Sequence, residues 1–305
     1  MPNTLDERDW KLLLERIRDG KCTPFLGAGA CFGVCPLGSD IARAWAREYN
    51  YPLTDGHDLA RVAQFLAVQH DSMFPKERIL EQFFNHIRPP DFGQPDEPHA
   101  LLAELPLPIY MTTNYDDLMV QALKNRHREP YRELCRWNSY VEKVPSVFDS
   151  AFNLSVANPV VFHLHGHDKH VKAAESLVLT EDDYLDFLVK VTRDLACEKP
   201  RIIPPRIQEA LTGTSLLFIG YRLADWSFRV LFRGLIAQLE GSLRRVSVTA
   251  QLLPELVNDL APTKKQAQEY LNEYFGKIDV RVYWGTAREF SSELRQRCLK
   301  EVILK

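Results

Sequence analysis

Four short stretches bring chemistry-bearing residues to the ends of apolar runs. In CTPFLGAGA the run 22–27 ends on Gly27, Ala28, Gly29 and Ala30. Gly27 and Gly29 permit positive φ and close backbone approach, so exposed N–H groups there would hold a pyrophosphate. The dinucleotide fingerprint wants a third glycine three positions on, where this chain has Phe32, and a tight strand-to-helix turn fits the stretch equally well. In MTTNYDD, Asn114 and Asp116 follow an apolar strand at once. Thr112, Thr113 or Asn114 would cap a helix starting DDLMVQALK, with the acids favouring its N-terminus. A cap explains one or two polar residues, and less well the whole run from Thr112 to Asp117, which favours function there.

VVFHLHGHD places His163, His165 and His167 within five residues. Alternate strand residues share a face, so His163 and His165 are expected to project together. A metal joined by Asp168 is disfavoured, because the strand ends at Gly166 and nothing fixes His167 and Asp168. His165 is the better candidate for a catalytic or ribose-binding residue, and His163 for a core histidine. In LLFIGYRLADW, Gly220 turns the chain and the Gly220–Tyr221 backbone is the expected ligand contact. Asp225 caps the next helix or holds a ribose hydroxyl, with capping favoured.

Six apolar runs of strand length must position these residues: 22–27, 108–113, 160–165, 215–220, 246–252 and 280–285. Several are continuously apolar, as strands buried on both faces should be. Amphipathic patterns lie between them, beginning with LDERDWKLLLERIRDGK, where Trp10, Leu13, Leu14 and Ile17 fall at helical spacing before Gly20. Further helices are expected in DWSFRVLFRGLIAQLEG, KKQAQEYLNEYFGK and AREFSSELRQRCLKEVILK. The expected fold is α/β, a Rossmann-like, doubly wound, mainly parallel six-stranded sheet in one domain spanning 1–305. About 80 helical residues between the first two strands exceed one crossover and imply a helical insertion over roughly 39–105. The stretch 126–158 carries no assignable pattern.

The chain has 305 residues, with 38 basic against 41 acidic and a net charge of -3. No basic excess exists to attract nucleic acid or anionic lipid. The acidic N-terminus lacks an apolar core, so no signal peptide is expected, and no run of about 18 apolar residues would span a membrane. The six cysteines form no C-x-x-C pair. Cys31 and Cys35 are a lone C-x3-C, so reduced thiols in a cytoplasmic protein are expected, with no metal.

Gly27-Ala28-Gly29, Thr112-Thr113-Asn114-Tyr115-Asp116, His165-Gly166 and Gly220-Tyr221-Arg222-Leu223, in this order, resemble the motifs of the sirtuin family. The resemblance is closer to its bacterial NAD-hydrolase branch of anti-phage defence, with VLTEDDYLDFL (178–188) and YWGTAREF (283–290) also similar to that branch. A literal GTSL at 213–216 precedes its strand and is set aside. The two C-x-x-C pairs of the deacylase zinc module are missing, and Ala30-Cys31 and Thr113 replace usual polar residues, which argues against deacylation. The resemblance implies NAD as substrate, cleaved to nicotinamide and ADP-ribose. Asn114 would position the nicotinamide ribose and an attacking water, His165 would bond the ribose hydroxyls and act as general base, Asp116 would orient the nicotinamide side or the Asn114 loop, and the glycine loop would hold the pyrophosphate. It also implies a regulated effector: a homo-oligomer with a sensor or ATPase partner or fused domain. A non-catalytic NAD or ADP-ribose sensor, or an assembly module, is the alternative.

Overall fold

A computed structural model describes residues 5–85, 87–170, 172–195, 202–221, 246–252 and 261–304. Seven strands form one sheet: β1 (Cys22–Leu26), β2 (Ile109–Thr112), β3 (Tyr131–Leu134), β4 (Val160–His163), β5 (Ser215–Ile219), β6 (Ser247–Gln251) and β7 (Val280–Trp284). Their order is β3-β4-β2-β1-β5-β6-β7, and every pairing is parallel. Six strands lie within the six apolar runs. The seventh, β3, comes from the unassigned stretch 126–158. It reads YREL, and its first two residues are exposed. Glu133 is nevertheless buried, because it pairs with Arg136 and accepts from Ser146 Oγ (3.1 Å) and the Val147 N–H (2.9 Å). A strand built around a buried ion pair has no apolar signature to read.

Alternation along the strands divides the core into two faces. Phe25, Met111, Phe162, Phe218 and Val282 face one side, covered by α8 (Glu181–Leu195), α9 (Pro205–Gly213) and α10 (Ala261–Gly276). Leu26, Tyr110, Val161, Leu217 and Ile219 face the other. There α1 (Glu7–Arg18), α5 (Pro98–Glu104), α6 (Leu118–Asn125) and α11 (Ala287–Lys300) pack. In α1, Trp10, Leu13, Leu14 and Ile17 are all buried. Each large apolar side chain removed from water contributes about 1.5–3 kcal/mol. Helices α2 (Gly38–Glu48), α3 (Leu59–Gln69) and α4 (Phe74–Ile79) bury a separate core of Ile41, Trp45, Val62, Leu66 and Ile79. That core includes Tyr115, Leu177 and Leu179, so α2, α3 and α4 rest on the carboxyl side of the sheet. Helix 225–241, expected from the sequence, lies outside the described residues.

From β1 the chain passes to β2 on one side, and it later returns to β5 on the other. Such a reversal opens a crevice at the carboxyl ends of the central strands. No described helix is long and apolar enough to cross a membrane.

Candidate active site

Glycine shapes one wall of the crevice. Gly27 and Gly220 follow β1 and β5 side by side, since Leu26 pairs with Ile219. The Gly27 N–H donates to Ile219 O (2.9 Å), the Gly29 N–H to Gly220 O (2.8 Å), and the Ala30 N–H to Gly27 O (2.9 Å). Gly220 has φ +82°, and a Cβ there would lie 2.1 Å from Ala30 N. A Cβ on Gly29 would lie 2.9 Å from Gly220 Cα. Three of the loop N–H groups assigned by sequence to a phosphate are thus engaged by backbone carbonyls, while Ala28 stands exposed at the start of one 3-10 turn, Ala28–Cys31.

Tyr221 braces this wall with its side chain as well as its backbone. Its hydroxyl donates to Leu26 O (2.9 Å) and shares a hydrogen bond with Thr113 Oγ1 (2.8 Å). The ring meets Phe25 and Phe218 at 5.6 and 6.1 Å between centroids. Burial holds the phenol pKa well above its usual value.

Asn114, just past β2, reaches across to the glycine loop. Its Nδ2 donates to Gly27 O (3.1 Å) and Cys31 Sγ (3.0 Å), and its backbone N–H donates to Thr112 Oγ1 (2.9 Å). None of Thr112, Thr113 and Asn114 caps α6. The N-cap position is Asp117, which has no capping bond. Its carboxylate is gripped by Arg132 at 2.7 and 2.6 Å. Asp116 serves the helix start instead, with Oδ1 accepting the Leu118 N–H (2.9 Å) and Oδ2 accepting the Cys31 thiol (3.1 Å).

His165 stands on the neighbouring strand end. Thr112 pairs with His163, and the Leu164 N–H donates to Thr112 O (2.9 Å), so Asn114 and His165 each lie two residues beyond paired positions. The expected shared face of His163 and His165 is not found, because β4 stops at His163. The chain turns there into Gly166, at φ +86°, where a Cβ would lie 2.5 Å from Ser176 O. The His163 ring meets His167 (4.6 Å), whereas His165 sits edge-on between Tyr184 (5.3 Å) and Phe187 (5.2 Å). His165 is buried and its Nε2 has no hydrogen-bond partner. Burial pushes its pKa down to about 3, so the ring is neutral at physiological pH. Burial likewise takes His163 to about 3 and His167 to about 2.

The wall around His165 is set by the motif 178–188. Asp183 Oδ2 accepts the N–H groups of Leu179 (3.1 Å) and Thr180 (3.0 Å), while Oδ1 takes Lys76 Nζ at 2.7 Å. These bonds fix the start of α8, which carries Tyr184 and Phe187. Asp168, near the histidines, pairs with Lys169 (2.7 Å).

Two buried residues escaped the sequence reading. His99 Nδ1 lies 2.7 Å from Glu97 Oε1, and its Nε2 lies 3.8 Å from Cys31 Sγ. Glu97 Oε2 also accepts the Ala100 N–H at 2.5 Å. A histidine beside the apolar run ALLA (100–103) of PHALLAEL was the available signal. Asp225 lies outside the described residues.

The SIR2-like domain family matches residues 108–277, more than half of the chain. The NAD(+) hydrolase ThsA of Bacillus cereus (strain MSX-D12) is 23% identical over 226 residues, covering 73% of this chain and 41% of that protein. ThsA of Enterococcus faecium is 27% identical over 235 residues, covering 71% and 41%. The chain therefore spans about two fifths of the length of the curated relatives it matches. A solved structure described as "Structural Basis for the Mechanism and Regulation of Sir2 Enzymes" aligns with 98% of this chain and 99% of its own at 14% identity, with a TM-score of 0.44. By the match across more than half its length, the chain belongs to the SIR2-like family.

Proposed function

We propose that the chain is an NAD glycohydrolase that cleaves the nicotinamide–ribose bond, releasing nicotinamide and ADP-ribose. The observation that carries this reading is the unpartnered Nε2 of buried His165, on the strand end beside Asn114. A buried ring nitrogen with no partner costs about 1–3 kcal/mol, and a ribose hydroxyl, which can donate or accept, would complete it. The named NAD(+) hydrolase relatives support the same substrate.

Cleavage builds oxocarbenium character on the ribose, so the protein must hold the sugar and place a nucleophile on its open face. Asn114, tied to the loop through Nδ2, offers its carbonyl Oδ1 to the attacking water. Neutral His165 accepts a ribose hydroxyl. An imidazole held near 3 is a weak base, and the negative pyrophosphate would raise it toward a useful range. The glycine wall lets the backbone at Ala28 approach the pyrophosphate, and Asp116, behind Asn114, orients the Asn114 loop through Cys31. In the wider reading, this is a cytoplasmic NAD-depleting effector of anti-phage abortive infection, working as a homo-oligomer under a sensor or ATPase partner.

The test is nicotinamide release from NAD, measured beside NAD binding. Asn114→Ala and His165→Ala are each expected to lower turnover about 10²–10⁴-fold with the fold intact. Wild-type turnover in His165→Ala would refute its role, and tight binding without turnover in the wild type would make the chain a sensor.

A further inference from the structure

We propose that Cys31, His99 and Asp116 form a zinc(II) site buried behind the glycine loop. Their donor atoms, Sγ, an imidazole nitrogen and a carboxylate oxygen, all lie within 4.8 Å of one another, and all three residues are buried. With zinc–sulfur bonds of about 2.3 Å and zinc–nitrogen or zinc–oxygen bonds of about 2.0–2.2 Å, tetrahedral donors stand about 3.5 Å apart. Here Cys31 Sγ is 3.8 Å from His99 Nε2 and 3.1 Å from Asp116 Oδ2. A small contraction of the first edge and expansion of the second would bring both to that spacing.

Each donor is already aimed by a second group, as metal ligands are. His99 Nδ1 meets the Glu97 carboxylate (2.7 Å), so in the neutral ring Nε2 is the acceptor. Asp116 Oδ1 is held by the Leu118 N–H (2.9 Å), leaving Oδ2 toward the thiol. Cys31 Sγ receives the Asn114 amide (3.0 Å). The donor set selects the ion: thiolate with imidazole suits zinc, and magnesium or calcium would demand oxygens. Thiolate and carboxylate together carry two negative charges, which a divalent ion cancels where no water can.

The metal-free state keeps the thiol protonated. The hydrogen bond with Cys35, then burial, hold its pKa well above the usual value. Loading therefore forms a sulfur–zinc bond and releases the Cys31 proton to solvent. The site differs in residues and ligand type from the paired C-x-x-C module of deacylases. It ties three segments together: the glycine loop, the start of α5 and the β2–α6 turn.

The test uses metal-free protein titrated with cobalt(II), then zinc(II). One equivalent of cobalt should bind per chain, with a thiolate-to-metal band in the near ultraviolet that zinc abolishes by displacement. Cys31→Ser should remove that band. Glu97→Gln should weaken zinc binding about 10–100-fold, and His99→Gln at least as much. Zinc should raise the Tm of the wild type more than that of Glu97→Gln or His99→Gln. Absence of stoichiometric binding overturns the proposal, as does a band that survives Cys31→Ser or an affinity unchanged in His99→Gln. None of these readouts uses NAD cleavage, so this proposal and the hydrolase reading fail separately.

Discussion

The two walls of the crevice treat their polar atoms in opposite ways. On the glycine side, the N–H groups of Gly27, Gly29 and Ala30, the Asn114 amide and the Tyr221 hydroxyl all find partners within 3.1 Å. On the histidine side, Nε2 of His165 and both ring nitrogens of His163 are buried without a hydrogen bond. The first wall is a finished scaffold whose geometry is set before anything binds. The second carries a standing energetic cost of the kind that a polar ligand relieves.

That contrast should break most severely at Gly220→Ala. The added methyl meets a backbone nitrogen at 2.1 Å in a left-handed conformation, and a loss of about 3–5 kcal/mol is expected. Denaturant unfolding checks it, with Gly213→Ala as control, since nothing lies within 4 Å of a Cβ there. Acid should next find the histidine wall. His163, His165 and His167 stay neutral when folded but take up protons near pH 6.5 when unfolded, so stability falls as pH drops below that value. Between pH 6.5 and 5 the loss is about 2 kcal/mol per imidazole. His163→Gln should flatten the slope of unfolding free energy against pH by about one proton.

A pair of substitutions with opposite signs would sharpen the comparison further. His165→Leu removes an orphaned acceptor and should leave stability unchanged or raise it by about 1 kcal/mol, while abolishing nicotinamide release. Asn114→Ala breaks satisfied bonds and should lower stability by about 1–2 kcal/mol. Equal destabilisation by both would erase the distinction between the walls. The smallest effect belongs to Tyr221→Phe, about 1 kcal/mol from the lost bond to Leu26 O.

Much of this frame is legible along the chain because strand ends announce themselves locally. A continuous apolar run closed by glycine locates β1 and β5, and the polar run 112–117 marks the end of β2. The buried face of α1 follows from spacing alone. What stays hidden involves partners remote in sequence. β3 is masked because Glu133 is buried through side-chain and backbone partners, not through an apolar pattern. His163 and His165 part company because Gly166 ends the strand's alternation early, under pressure from Ser176. His99 and Cys31 stand 68 residues apart, and only the return of α5 to the sheet brings them together.

The placement of β1 at the middle of the sheet also has a consequence in time. Cys22 pairs with Ser215, 193 residues later. At about 5–20 residues per second, a ribosome releases β1 roughly 10–40 s before its second neighbour exists. Until then the central strand has one bare edge, and the glycine clasp has no Gly220 to close on. Newborn chains are thus barred from completing the crevice until Gly220 has been made, which sets a delay between synthesis and any activity the crevice supports.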